Sequence, residues 1–176
     1  MDDSTDCRRR EPKAEGAVEL THFLKVEDIQ LDVEVRDKAA VLHAAAELLS
    51  GELSTDTVES LLVARERVAS TGVGEGIAVP HASTSELTAP RIALLRTLMP
   101  VPFDAVDDLP VQLVIVVLAP AGSQAVHLRL LARIARLVRS RTVRLALLAA
   151  QSPEAVLAIV GGELTPATRP TRGVMQ

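Results

Sequence analysis

The stretch Val111-Gln112-Leu113-Val114-Ile115-Val116-Val117-Leu118, followed by Ala119-Pro120-Ala121-Gly122, decides how this chain folds. It is apolar almost throughout and does not alternate, which a strand tolerates only when both of its faces are covered. It is also too short to span a bilayer. The turn then delivers the chain into a helix over roughly Ser123 to Val138. In that helix His127, Leu130, Leu131, Ile134 and Val138 share one face, and Arg129, Arg133 and Arg136 share another. Upstream, Arg91 to Leu98 reads as a second strand. Lys38 to Ser50 reads as a helix, with Val41, Leu42, Ala45, Leu48 and Leu49 at helical spacing and Gly51 as its stop. Another helix starts near Asp56, with Glu59 as a capping-box signal. Its apolar stripe is Val58, Leu61 and Leu62, and Arg65 continues that face. Two shorter helices, near Thr142 to Ala150 and Pro153 to Val160, complete the pattern. Helices alternating with strands predict a layered α/β architecture with helices packed on a sheet.

The 176 residues suffice for one domain with a proper core. We place it at residues 19–160, between an N-terminal tail (1–18, with Arg8-Arg9-Arg10-Glu11-Pro12-Lys13) and a C-terminal tail (161–176, rich in Gly, Pro and Thr). Phe23 and Phe103 are the only aromatic side chains, so Leu, Val, Ile and Ala must build the core. So few aromatic residues argue against stacking on nucleic-acid bases. A net charge of −4 supplies no field to recruit nucleic acid. The single cysteine, Cys7, rules out an internal disulfide and fits a reducing compartment. The first residues contain no apolar stretch that would serve as a secretion signal. These features point to a soluble, cytoplasmic protein with no direct membrane insertion.

Chemistry is expected at His81. It follows Pro80 and the short apolar run Ile77-Ala78-Val79, downstream of the loop Ser70-Thr71-Gly72-Val73-Gly74-Glu75-Gly76. Glycines spaced this way let backbone amides converge on an anion. Nucleotide binding is improbable, because the spacing is not the dinucleotide fingerprint and the Walker lysine is missing. His127 is the second candidate: it lies in the first turn of a helix that leaves a buried strand, where α/β sheets place ligands and helix ends attract anions. His43, mid-helix among alanines, and His22 have no such setting. No metal is expected, since neither His-x-x-x-His nor Cys-x-x-Cys occurs. No Gly-x-Ser-x-Gly elbow marks a serine hydrolase either.

Arg65-Glu66, Ser70-Thr71-Gly72-Val73-Gly74, Gly76-Ile77-Ala78-Val79-Pro80-His81 and His127-Leu128 together resemble the enzyme IIA domains of the mannitol and fructose type in the bacterial phosphotransferase system. Pro102-Phe103-Asp104-Ala105-Val106-Asp107 with Pro110-Val111 is closer to the nitrogen-regulatory branch. The resemblance runs from about Leu20 to Val160. It implies a single domain with a mixed β-sheet flanked by helices on both faces. It also implies that His81 is the phosphoryl acceptor, served by a histidine phosphocarrier protein, with His127 and Arg65 beside it. Thr71, Gly72, Gly74 and Gly76 are the expected phosphate-binding residues, and no cofactor is called for. An acceptor needs a neutral imidazole with a lone pair, and an arginine supplies a permanent planar cation for the phosphoryl oxygens.

Such a protein is a phosphotransferase component with a phosphohistidine intermediate rather than a conventional turnover enzyme. Its phosphorylation state either signals to regulatory targets or serves sugar uptake through an enzyme IIB cysteine. The lack of a fused IIB domain and the Phe-Asp-Ala-Val-Asp segment favour signalling. A binding module that never carries phosphate is the reading from a different class. Arg129, Arg133, Arg136 and Arg139 form a basic row that is either solvated or a docking surface for an acidic partner.

Overall fold

The computed structural model describes residues 19–162, so both expected tails lie outside the described residues except for Gly161 and Gly162, which form a turn. After a 3₁₀ turn at Leu20–His22 the elements are β1 (Leu24–Val33), α1 (Lys38–Leu49), α2 (Thr55–Val68), β2 (Gly72–Gly74), β3 (Ile77–Ala78), β4 (His81–Thr84), β5 (Arg91–Val101), β6 (Val111–Pro120), α3 (Gln124–Arg139), α4 (Arg141–Ala149) and α5 (Pro153–Val160). The expected α/β domain, with a mixed sheet between two helical layers, is the one observed. The sheet runs β1-β5-β6-β3-β2, and β4 also pairs with β6. β1 is parallel to β5, β5 antiparallel to β6, and β3 and β4 both parallel to β6.

The apolar run of β6 has the explanation expected of it. Val114, Val116 and Leu118 enter a core with α1 and α2, including Val41, Leu42, Ala45, Val58 and Leu62. The intervening Leu113, Ile115 and Val117 enter a second core with α3, α4 and α5, including Leu130, Ile134, Leu147 and Val156. Helix ends are capped much as their composition dictates: Asp37, Ser54, Ser140 and Ser152 each accept an amide hydrogen at the start of α1, α2, α4 and α5. The α2 cap is Ser54 and its bonded amide that of Thr57, so the helix begins a residue before the expected Asp56 and without the Glu59 capping box.

Three strands were absent from the sequence reading: β1, β2, which lies within the stretch read as a loop, and β4. β1 carries Lys25, Glu27, Asp28, Gln30 and Asp32, and its register shifts twice against β5, which destroys the period-two signal. β4 continues the line of β3, because both keep the same offset along β6 (Ile77 opposite Leu113, His81 opposite Val117). Val79 and Pro80 interrupt this line, and the Pro80 carbonyl accepts from the Val117 amide, so the proline stays in the ladder through its acceptor alone.

β5 fastens both layers. Arg91 points to one face, where its guanidinium donates to the Leu49 and Ser50 carbonyls at the end of α1 and to buried Asp28 (2.8 Å). Arg96 points to the other face and is 5% exposed. It donates to Leu148 O (2.9 Å) and Ala150 O (2.6 Å) at the end of α4, and grips Asp32 with Nη2 at 2.9 and 3.1 Å. A cation at a helix C-terminus satisfies carbonyls that the helix itself leaves unpaired. Among the described residues no helix is long and apolar enough to cross a membrane.

Candidate functional site

His81, Arg65 and His127 arrive from three different elements: the first residue of β4, the last turn of α2 and the first turn of α3. The structure brings all three together. Arg65 Nε donates to His81 Nε2 (3.2 Å), and its Nη1 donates to Ala69 O (2.9 Å). The His127 ring meets the His81 ring edge to face, with centroids 5.5 Å apart and planes at 69°. His81 is half-buried at the wall of a cleft of about 560 Å³, whose other lining includes Arg65, Val79, Leu131, Ala135 and Arg139.

The proton on His81 is fixed by its neighbours. Nδ1 lies 2.8 Å from Val79 O, and a carbonyl can only accept, so Nδ1 carries the hydrogen. Nε2 then holds the lone pair, in agreement with the hydrogen it receives from Arg65. Burial lowers the His81 pKa below 6.5, and the Arg65 charge pushes it the same way, against the Val79 carbonyl and Glu66. Burial, with the neighbouring His81, also lowers that of His127. Among the described residues His127 Nε2 is buried with no hydrogen-bond partner, a costly position for a polar atom unless another group visits it.

The pH dependence follows from the sign of that shift. A depressed pKa keeps His81 neutral as pH falls through 6.5, so its capacity as a nucleophile is expected to persist there and to fall only at lower pH. A pH–rate profile of phosphoryl uptake from phosphoramidate, paired with an NMR titration of the ring nitrogens, measures this. A half-maximal rate at or above pH 6.5 would contradict it.

The Thr71–Gly76 segment does something other than the sequence suggests. The Thr71 amide donates to both carboxylate oxygens of Glu66 (3.1 and 3.0 Å), and its hydroxyl donates there too. The Gly72 amide is taken by Ser70 Oγ (3.2 Å), so at Thr71 and Gly72 the expected amide cradle gives way to internal bonds. Gly72 is needed for contact, since a Cβ there would stand 2.7 Å from Ala105 Cα. Gly74 and Gly76, with φ of +93° and +76°, shape the tight β2–β3 hairpin that forms one wall of the cleft.

Glu66 was quoted in the sequence only as Arg65's neighbour. It is the hub of the loop, being 6% exposed and also bonded to Lys38 Nζ (3.0 Å). Thr71 O in turn accepts from the Val79 amide (2.9 Å), and Val79 O orients His81. A chain of contacts therefore runs from Glu66 through Thr71 and Val79 to Nδ1. Lys38 lies 28 residues from Glu66, which put it beyond the reach of any local pattern. His43 bonds Glu59 on the outside of the α1–α2 layer, and His22 is exposed beside Glu19; neither lines the cleft.

Residues 22–161 match the model of the phosphoenolpyruvate-dependent sugar phosphotransferase system, EIIA 2 family. The chain is 41% identical over 70% of its length to a nitrogen regulatory protein of Pseudomonas aeruginosa, covering 82% of that protein. It is 32% identical over 81% of its length to the fructose-specific EIIABC component of Bacillus subtilis, but spans only 23% of that longer protein. The crystal structure of nitrogen regulatory protein IIA-Ntr from Neisseria meningitidis superimposes with a TM-score of 0.78 at 36% identity, covering 80% of this chain and 98% of that one. The chain thus belongs to the EIIA 2 family of the phosphoenolpyruvate-dependent sugar phosphotransferase system, as a phosphocarrier and regulatory protein similar to IIA-Ntr.

Proposed function

We propose that His81 Nε2 accepts a phosphoryl group from a histidine phosphocarrier protein in the cytoplasm, and that the two resulting states of the chain are read by regulatory targets. The observation that carries this is the bonding of the His81 ring: Nδ1–H is held by Val79 O, and Nε2 points its lone pair toward the Arg65 guanidinium. In the transfer, the Nε2 lone pair forms the new N–P bond. The electron pair of the donor's N–P bond stays on the donor nitrogen. No proton leaves His81, and the Val79 carbonyl stabilises the positive charge that develops on its ring.

Arg65 gives up its contact with Nε2 and turns its donors to the phosphoryl oxygens. The buried His127 Nε2, if protonated as the N–H tautomer, has a partner there as well.

The test is to incubate the chain with phosphoenolpyruvate, enzyme I and the phosphocarrier, and to look for an acid-labile adduct assigned by NMR to Nε2. Absence of an adduct, or its assignment to Nδ1, would overturn the reading. Arg65→Ala is expected to slow transfer about tenfold or more, roughly 1.4 kcal/mol of transition-state stabilisation. An unchanged rate would reduce Arg65 to a clasp on the Ala69 carbonyl.

A second destination is supported by the likeness to the fructose-specific EIIABC component, in which case the phosphoryl group passes onward to an enzyme IIB cysteine. Transfer from phosphorylated chain to a purified IIB domain separates the two. The 41% identity to a nitrogen regulatory protein, against 32% here, favours signalling.

A further inference from the structure

From Leu109 to Pro153 the chain contains no Asp or Glu, although it has an overall charge of −4. The same stretch contains Arg129, Arg133, Arg136, Arg139, Arg141 and Arg144. Arg144 is employed internally: it donates to the Val138 and Arg139 carbonyls and to Glu75 Oε2 (2.7 Å). Among the described residues the other five have no carboxylate within ion-pair distance. Arg129, Arg133, Arg136 and Arg139 are all exposed on α3.

An ordinary solvated helix face mixes signs, because opposite charges at i,i+4 stabilise and like charges there repel. α3 instead places like charges at 129/133, 133/136 and 136/139. Its dipole favours cations at the C-terminal end, which accounts for Arg136 and Arg139 but not for Arg129 near the N-terminus. Solvation and the dipole therefore leave half of the row without a cause.

The row also has a position. Arg139 lines the cleft that contains His81, together with apolar Leu131, Ala135 and Val138. Val73 (50% exposed) on the hairpin lines the cleft, and Leu128 (67%) is an exposed apolar side chain of α3. Leu130, Ile134 and Val138, the apolar side of α3, are buried in the core, so this helix has no free face with which to enter a lipid layer.

We propose that this face of α3 docks an acidic surface of the protein that donates the phosphoryl group: carboxylates of the partner meet Arg129, Arg133, Arg136 and Arg139 while one of its apolar side chains enters the cleft. This rests on His81 being the acceptor and adds to that reading the charge and shape of what approaches it. Charge pairing across such a rim steers encounter and raises the association rate more than it holds the complex. The chain's overall negative charge opposes long polyanions, whereas a compact acidic patch meets only the local positive field.

Two donors separate docking from chemistry. The phosphorylated phosphocarrier protein must dock; phosphoramidate, a small phosphoryl donor, has no surface to dock. In the full chain carrying Arg129→Gln, Arg133→Gln and Arg136→Gln, transfer from the phosphocarrier is expected to slow about tenfold at low salt and to lose most of its salt dependence. The phosphoramidate rate is expected to stay within about twofold of wild type, as no substituted residue lines the cleft.

An unchanged phosphocarrier rate and salt slope would overturn the proposal, as would equal losses with both donors. So would an unchanged rate accompanied by arginine-dependent binding of the wild type to a DNA duplex or to phosphatidylglycerol vesicles, which would assign the row to a polyanion. If the wild type accepts label from neither donor, the His81 reading fails first and this proposal with it, a result distinct from all the others.

Discussion

His81→Ala is expected to end acid-labile phosphoryl uptake completely while leaving the domain folded. The side chain lies half-buried at the first residue of a short strand, and its bonds are to Val79 O and Arg65 rather than to either core. Removing it should therefore alter stability by no more than about 1 kcal/mol. Function has no comparable reserve. Among the described residues His127 Nε2 is buried without a partner, and no carbonyl is bonded to its ring as Val79 O is to His81, so nothing holds it in a nucleophilic tautomer. Label persisting in His81→Ala at more than background would transfer the acceptor role to His127. A useful companion is His81→Asn, whose amide nitrogen takes the place of Nδ1 and can still donate to Val79 O. Expected to be equally inert, it would show that the loss is one of nucleophile and not of local order.

The largest loss of stability is expected at Arg96. Replacing it with methionine keeps the length and apolar stem but leaves the Leu148 and Ala150 carbonyls without their donor in the interior. Each buried polar group so abandoned costs about 1–3 kcal/mol. Asp32 adds less, because its side chain is 57% exposed and regains water. A loss of about 3 kcal/mol, or roughly 10 °C in melting temperature, is expected by calorimetry or denaturant titration. Asp32→Asn in the same assay should lose under about 1 kcal/mol. If the two variants behaved alike, the ion pair would be the source of stability and the helix-end bonds would not.

Which parts of this were legible in the sequence follows from the distance over which each signal acts. The α3 stripe, the uninterrupted apolar run of β6 and the Pro80-His81 dipeptide are local patterns, and with the stripes of α1 and α2 they located the sheet, both helical layers and the candidate histidine. Arg65 was visible because it continued a helical stripe past Leu62. β1 was invisible because its charged residues and shifted register cancel the alternation that marks a strand. The work done by Thr71 and Gly72 was misread for a related reason: glycine spacing advertises free amides, but only the folded chain reveals that Glu66 and Ser70 have already taken them. Arg96 lies within the strand read over Arg91 to Leu98, with no local pattern to give it a role. Its partners lie up to 64 residues away, and nothing short of the fold could name them.

The two arginines of β5 point in opposite directions from one strand, and this bears on how the molecule comes apart. Helix ends on both sides are moored to that strand, Leu49 and Ser50 on one side, Leu148 and Ala150 on the other. Peeling away either helical layer would strand a guanidinium and expose the alternate row of β6 side chains that the layer had sheltered. Neither half has a low-energy path to loosening alone, so melting is a concerted event that engages the whole domain.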